Sequence, residues 1–304
     1  MDTAVIDWLL DSDPAIRWQV MRDLLAEPPD VVARERARVA AEGWGARLLD
    51  LQGADGHWGG AAFVPHAWIS TKDTLQLLRD LGVDPASERM RKAIRLVRER
   101  CTWGPGFKDS PFFEGETEAC INGRVLAIGA YFGEPSARLL DRLLHEQLSD
   151  GGWNCLAPPS TRSSFHSTIC VLEGLLEYAA REPSAAIADA RLRAHEYLLE
   201  RRLFRSQSTG QIIRPEWTLI SFPTRWHYDI LWGLDYMRRA GVEPEARMSE
   251  AIELVAGKRD ALGRWPLENS HPGPVYFEME AGAGEPSRWN TLRALRVMRW
   301  AGID

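Results

Sequence analysis

The chain has 304 residues, of which 45% are hydrophobic and 26% are charged, and its formal net charge is −6 at pH 7. This composition is ordinary for a globular protein, and the acidic balance argues against nucleic-acid binding and against general attraction to anionic membranes. No apolar run is long enough to span a bilayer, and the first residues lack the basic segment of a signal peptide. We therefore expect a cytoplasmic protein without an integral membrane segment.

Two short apolar helical segments, AVIDWLL and IRWQVMRDLL, lie within residues 1–27 and are separated by the sequence DSDP. They predict a helical hairpin at the start of the chain. The Arg-Trp pair of the second segment recurs before two later helices. We expect the arginines of these pairs, Arg17, Arg225 and Arg288, to form ion pairs or cap helix ends, with each Trp packed beneath the turn.

A seven-residue template, Gln-x-x-x-Gly-x-Trp, follows amphipathic segments along the chain. It is intact at 52–58 and 147–153, and at 259–265 Arg259 replaces the Gln. Apolar residues in the preceding segments recur at three- and four-residue steps, which is typical of an outer helix; the longest is expected over 33–51. The Gly permits a sharp turn where the helix ends, the Gln amide can bond backbone groups there, and the Trp can cover the turn.

A more apolar helix is predicted after each turn. These inner helices are expected at 70–82, 117–133, 164–180, 226–241 and 288–302. Alternating outer and inner helices form either an open solenoid or a closed ring. Because both ends of the chain are apolar and rich in Trp, we favour closure: one domain over 1–304, an all-α (α/α)6 toroid that the hairpin of 1–27 closes.

The template resembles the QW motif of the squalene cyclase and protein prenyltransferase superfamily, whose members are α/α toroids. The resemblance covers nearly the whole chain. It implies a terpenoid cyclase-like fold and an enzyme that acts on an apolar, isoprenoid-like small molecule in a central cavity. Cyclases of the superfamily use an acidic D-x-D-D motif as proton donor, and the chain has none; its DSDP at 11–14 lies on the N-terminal hairpin and lacks the last Asp.

The resemblance also implies a zinc site. Prenyltransferase β-subunits bind zinc with a D-x-C motif at the head of one inner helix and a His at the head of the next. In this chain Glu118-x-Cys120 stands in place of D-x-C, and His166 stands one repeat later. Glu replaces the Asp, and the Arg and Lys that grip the diphosphate in the family are missing from the acidic stretch SPFFEGETEAC. Because an acidic rim repels a diphosphate, prenyl transfer itself is not implied.

Three further polar residues lie at the heads of predicted inner helices. Glu116 precedes one, and His227 and Asp229 lie in another. Carboxylates at such positions cap helices. Alternatively, His227 completes the implied zinc shell or acts as a general base, and Asp229 is a ligand or an orienting group; with His227, Asp229 or Glu116 would do the acid–base work. We expect His227, Asp229 and the implied zinc ligands to surround one cavity at the mouth of the ring.

Three functions remain open from the sequence. The first is a zinc-dependent enzyme, and the second is a metal-free cyclase- or isomerase-like enzyme with Glu116 or Asp229 as proton donor. The third is a non-catalytic toroid that binds a lipid or a protein partner. Aromatic residues near the mouth either line an apolar pocket or fill the ring, and the Gly- and Pro-rich segment 268–289 is a candidate lid. Cys101 and Cys155, close to turns, are expected to be structural.

Overall fold

The computed structural model describes residues 3–303. Within that range the chain forms thirteen α-helices, and its only β pairing is isolated bridges. The helices are α1 (Thr3–Leu10), α2 (Pro14–Asp23), α3 (Pro29–Arg38), α4 (Gly43–Asp50), α5 (Thr71–Leu81), α6 (Glu88–Arg100), α7 (Ala119–Phe132), α8 (Ala137–His145), α9 (Phe165–Ala179), α10 (Ala185–Leu199), α11 (Ile230–Arg239), α12 (Ser249–Ala256) and α13 (Arg288–Trp300).

Six apolar helices, α2, α5, α7, α9, α11 and α13, form the inner ring. The pairs α5–α7, α7–α9, α11–α13 and α13–α2 pack directly against each other. Trp18 joins α2 to α5 by donating its Nε1–H to the Leu81 carbonyl at 3.0 Å. Trp232 joins α11 to α9 by donating to Glu173 at 3.1 Å. Each inner helix is preceded by an outer one, so the fold is all-α and is the expected (α/α)6 toroid.

The last helix, α13, packs against α2 of the N-terminal hairpin. Arg299 donates from Nη1 to the carbonyls of Asp23 and Leu24, at 3.0 and 3.1 Å. Arg296 donates to Gln19 at 2.7 Å and also pairs with Asp23. The Arg299 bonds satisfy carbonyls at the end of α2, where a helix lacks internal donors.

The Trp of each template is buried in the same way and makes the same two hydrogen bonds. Its ring is fully buried, its Nε1–H donates to a carbonyl in the last turn of the preceding outer helix, and its backbone N–H donates to a Thr hydroxyl on the next inner helix. The sets are Trp58 with Leu48 and Thr71, Trp153 with Leu143 and Thr168, and Trp265 with Val255 and Thr291, at 2.6–3.1 Å. The template therefore joins each outer helix to the inner helix that follows.

The Gln of each intact template links its own turn to the outer helix that comes next in the chain. Gln52 donates to the Gly56 carbonyl of its own turn at 2.9 Å and to Ala93 on α6 at 3.0 Å. Gln147 donates in the same way to its own turn and to α10. In the third copy, Arg259 instead stands over the ring of Trp265, 5.6 Å from its centroid.

Glycine allows α7 and α9 to approach closely. A Cβ on Gly123 would lie 2.5 Å from the Cys170 carbonyl oxygen, and one on Gly174 would lie 2.4 Å from the Gly123 oxygen. Any larger residue would push the two helices apart, since real Cβ contacts are longer. This contact brings the heads of α7 and α9, which carry the candidate site residues, next to each other.

Two predicted helices have different bounds. The segment expected as one helix over 33–51 is broken between α3 and α4, because Asp13 accepts the Trp44 N–H at 2.8 Å and also caps α2 through Ala15. The helix expected over 226–241 begins only at Ile230. Asp229 is its N-cap, in extended conformation, and accepts the Trp232 N–H at 2.8 Å.

The expected role of the Arg-Trp pairs is confirmed twice and wrong once. Arg17 pairs with Glu35 at 2.6 Å, and Arg288 donates to the Trp8 carbonyl at 3.2 Å; the Trp of each pair is buried. Arg225 forms no ion pair with any residue of 3–303 and instead lies 5.2 Å from the ring centroid of Trp68. Its partner Trp226 is 40% exposed, because residues 222–229 are not helical.

Candidate functional site

Glu116 lies just before α7 and is nearly fully buried. Its Oε1 accepts the Glu118 backbone N–H at 2.6 Å, and its Oε2 accepts the Thr117 hydroxyl at 2.8 Å. Asn122 holds the Glu116 backbone, with Oδ1 accepting the Glu116 N–H at 2.8 Å. Both carboxylate oxygens are thus used in the loop just before α7, whose N-cap residue, Glu118, makes no side-chain cap bond of its own.

Glu118, Cys120 and Cys155 form a group of metal-ligand type. One carboxylate oxygen of Glu118 and the two sulfurs all lie within 4.8 Å of one another. The Cys120 sulfur is 3.7 Å from Glu118 Oε2, and the Cys155 sulfur accepts the Cys120 backbone N–H at 3.2 Å. Two atoms bound to one tetrahedral zinc at about 2.0–2.3 Å would be separated by about 3.3–3.8 Å. The group therefore offers three zinc ligands after small side-chain movements.

The environment of Cys155 favours its thiolate. A hydrogen bond from the Cys120 side chain, opposed by burial, lowers the pKa of Cys155, and the Ser167 hydroxyl, 3.2 Å away, adds to the effect. The same shared proton raises the pKa of Cys120. Because thiolates are the form that binds metals and attacks electrophiles, Cys155 is the more reactive of the two sulfurs.

His166 does not belong to this group, which corrects the ligand set that the resemblance implied. Its Nδ1 accepts the Tyr228 backbone N–H at 2.9 Å. The ring lies edge-on to Trp217 and Trp226, with centroids 5.6 and 5.2 Å away. The non-helical segment before α11 offers this donor to His166, so the imidazole is held on the α11 side of the mouth.

Three imidazoles meet beside this segment. His227 stacks on His271 with ring centroids 4.0 Å apart, stacks on Trp226 at 3.8 Å, and lies edge-on to His166 at 6.1 Å. Burial lowers the pKa of His166 and of His227 to about 4 and that of His271 to about 3. Repulsion from His227 lowers the pKa of His166 and His271 further, and repulsion from Arg124 does so for His227. All three imidazoles are therefore neutral at pH 7.

A hydrogen-bond chain determines which nitrogen of His271 carries the proton. The Ser221 hydroxyl donates to Asp229 Oδ2 at 2.8 Å, so its oxygen accepts from His271 Nε2–H at 3.2 Å. The Nδ1 of neutral His271 is then the basic nitrogen. Asp229 is buried and also caps α11; burial raises its pKa, while Arg293, the Trp232 N–H and the Ser221 donors work the other way. Its contacts are those of an orienting group.

A pocket of about 760 Å³ opens beside the three imidazoles. Most of its wall is apolar, with aromatic rings contributed by α9, by the short 3₁₀ helix Pro215–Thr218 and by the segment 222–229. The residues that dominate the wall are Phe165, His166, Trp217, Trp226, His227 and Tyr228. Ile213, Leu219 and Trp226 are more than a third exposed at its rim. The pocket therefore has an aromatic interior, and its rim carries these apolar side chains beside the exposed charged residues Arg214 and Glu216.

His227, Asp229 and the three implied zinc ligands were expected around one cavity, and only some of them share one. His166, His227 and Asp229 line this pocket, whereas Glu118 and Cys120 are not among its lining residues. A second cavity, of about 680 Å³, occupies the ring axis towards the other ends of the inner helices. The segment 221–229 separates the two: Phe222 and Thr224 face the axial cavity, and the later residues face the aromatic pocket.

Two residues of the site escaped the sequence analysis. Cys155 was expected to be structural, but it follows the Trp153 template directly, and that turn leads to the mouth. His271 is the one His in the segment 268–289, which was noted only as a candidate lid. In each case the signal was a reactive residue type within a segment already predicted to border the mouth.

Comparisons with known proteins give only distant structural neighbours. A protein from Actinoplanes aligns with a TM-score of 0.47 and 18% identity over 98% of both chains. The type II terpene cyclase MstE from Scytonema aligns with a TM-score of 0.49 and 16% identity over 98% of this chain and 96% of that one. Its D109N variant, in complex with geranylgeranyl dihydroxybenzoate, aligns at 0.48 and 17% over the same shares.

Neither family models nor curated protein sequences match the chain. At these identities the structural neighbours do not bear on activity, and the fold rests on the helix contacts described above. None of the helices in residues 3–303 is both long and apolar enough to cross a membrane.

Proposed function

We propose that the protein is a terpenoid cyclase- or prenyltransferase-like enzyme that acts on an apolar, isoprenoid-like small molecule in the aromatic pocket. The observation that carries this proposal is the combination of an aromatic interior, exposed apolar side chains at the rim and neutral imidazoles in one pocket of about 760 Å³. That volume lies within the usual range of small-molecule sites. The QW-like template of the scaffold is consistent with this superfamily.

His227 is the proposed general base. It lies between Trp226 and His271, and burial keeps its imidazole neutral at pH 7. A neutral imidazole within the pocket can take a proton from a bound molecule. Asp229 orients His271 through Ser221, and His271 supports the His227 ring by stacking. The surrounding aromatic faces would stabilise positive charge that develops on the substrate.

We further propose that Glu118, Cys120 and Cys155 hold zinc. Their ligand atoms fit a three-ligand site with one position left for water or substrate, the arrangement of catalytic zinc. Bound zinc would supply Lewis-acid chemistry. Within the protein, the Ser167 hydroxyl and the Cys120 N–H would orient the Cys155 sulfur, and the start of α7 would fix Glu118 and Cys120.

Metal analysis of protein purified without chelators tests the zinc site. We expect about one zinc per chain, lost in Cys120→Ser and in Cys155→Ser and kept in His166→Ala. Cys101→Ser is the matched control, because that thiol is buried away from the group. Wild-type protein that neither contains nor takes up zinc would refute this part of the proposal and leave the aromatic pocket untouched.

Ligand binding tests the pocket itself. We expect a 20-carbon isoprenoid alcohol to quench tryptophan fluorescence with saturation at one molecule per chain, and Trp217→Ala to weaken binding at least tenfold. His227→Gln should bind the alcohol normally but abolish turnover of any substrate found. Binding without turnover by every isoprenoid class tested, in wild type and variant alike, would favour a non-catalytic lipid-binding toroid.

A further inference from the structure

The axial cavity differs from the aromatic pocket in its charge. Seven arginines and four carboxylates line its wall, together with Trp18, Trp232 and Trp289. The cavity therefore carries three more positive than negative side chains. The protein as a whole has a net charge of −6, so its overall composition does not account for this excess of arginine inside the ring.

Some of these arginines are neutralised within the wall. Glu173 accepts from Arg79 at 2.6 Å and from Arg239 at 2.7 Å, and although burial raises the pKa of Glu173, these two cations hold it well below its usual range. Arg238 pairs with Asp235 at 2.8 Å. This network connects α5, α9 and α11 and explains the carboxylates of the wall.

Other arginines of the wall have no carboxylate partner within the described part of the chain. Arg36 donates to the Gly82 carbonyl at 2.9 Å and to the Tyr131 hydroxyl at 2.8 Å, both neutral acceptors. Arg293, nearly fully buried, donates to the Ser221 carbonyl at 2.9 Å and forms no ion pair among residues 3–303. Neither guanidinium thus forms an ion pair in the described residues, although Asp229 and Asp235 lie close enough to Arg293 to interact with its charge.

Arg296 provides a second, independent observation: one of its buried nitrogens lacks a hydrogen-bond acceptor within residues 3–303. Its side chain lines the cavity and is more than nine-tenths buried, and its Nε is buried with no hydrogen-bond partner in the described residues. Asp23 and Gln19 engage only its Nη2. An unsatisfied buried guanidinium nitrogen is unfavourable unless a ligand or water supplies an acceptor.

We propose that the axial cavity binds a small organic anion with two or more negative charges, held through its oxyanion groups by Arg36, Arg293 and Arg296. Guanidinium groups bind carboxylate and phosphate oxygens in a planar, two-bond geometry, so a phosphate ester and a dicarboxylate share the required chemistry. The Trp rings of the wall accommodate the organic part of the ligand. This site lies on the opposite side of the segment 221–229 from the proposed isoprenoid pocket and does not depend on it.

Calorimetric titration of the full chain at low ionic strength, with inorganic pyrophosphate and with succinate as probes, tests the site. We expect at least one of the two to bind at one per chain, and the tighter probe assigns the oxyanion class. Arg36→Gln and Arg293→Gln should each weaken binding at least tenfold, whereas Arg36→Lys and Arg293→Lys, which keep the charge, should weaken it less. Arg34→Gln, at an exposed ion pair with Asp30, is the control and should change nothing.

Two results would overturn the proposal: no heat of binding for either probe with folded wild-type protein, or equal weakening by Arg34→Gln and by the cavity variants. The Lys variants keep the test informative where a Gln variant unfolds. Binding of the isoprenoid alcohol should be independent of pyrophosphate, so failure of the anion site and failure of the proposed function are separable.

Discussion

The imidazole rings of His227 and His271 stack with their centroids 4.0 Å apart and their planes 12° from parallel. Two protonated rings in this position would repel each other within a buried site. The arrangement is therefore stable only while the rings are neutral, and this links the chemistry of the pocket to pH.

The first prediction concerns acid stability. The pKa of His166, His195 and His227 is lowered from 6.5 to about 4, and that of His271 to about 3. Since the unfolded chain binds protons that the folded one does not, stability is full above about pH 6.5 and falls as the pH drops towards 4. Each histidine contributes a slope of at most about 1.4 kcal/mol per pH unit.

Urea unfolding at pH 5, 6 and 7 measures this effect. His271→Gln, which removes the residue with the lowest pKa, should flatten the dependence relative to wild type. Stability that is constant from pH 7 to pH 5, or NMR titration of the His227 ring near 6.5, would contradict the neutral cluster.

The second prediction concerns Asp229. Asp229→Ala removes the N-cap of α11 and the acceptor of the Ser221 hydroxyl and N–H, so we expect a loss of about 2 kcal/mol in the free energy of unfolding. Ser184→Ala, which removes only the N-cap of the outer helix α10, should lose about 1 kcal/mol. Chemical denaturation measures both, and equal losses would show that the Ser221 connection contributes nothing.

The third prediction concerns the contact between α7 and α9. Gly174→Ala places a Cβ 2.4 Å from the Gly123 carbonyl oxygen, so we expect a loss of about 3 kcal/mol. Gly106→Ala is the control, because a Cβ there meets no atom within 4 Å, and it should change stability by less than about 0.5 kcal/mol. Thermal and urea unfolding compare the two; a Gly174→Ala protein as stable as wild type would show that the helices are packed less closely.

The fold was largely predictable because its signals are local. The outer helices follow apolar periodicity, and the template places Gly and Trp at each turn; the buried Trp153, bonded to Leu143 and to Thr168, has the role expected of it. Closure is predicted from the apolar character of both chain ends, and Arg299 of α13 donates to the carbonyls at the end of α2.

The site was less predictable because it depends on irregular segments. Glu118 and Cys120, two residues apart, would not share a helix face; they meet because Glu118 is the extended N-cap of α7. The position of Cys155 depends on how the turn after Trp153 folds back over α7. The 226–241 segment has the apolar pattern of a helix throughout, yet Asp229 starts the helix late. The extended segment before α11 places the Tyr228 N–H against His166 Nδ1 and so holds this imidazole on the α11 side of the mouth. Such competition between caps and helix pattern is decided by tertiary contacts.

The most direct test of the proposed function is a crystal structure of the protein saturated with a 20-carbon isoprenoid alcohol. We expect the hydrocarbon chain to lie against Phe165, Trp217 and Trp226, with one carbon within reach of a His227 ring nitrogen. Density for the alcohol in the arginine-lined axial cavity, or an unliganded aromatic pocket at saturation, would contradict the assignment.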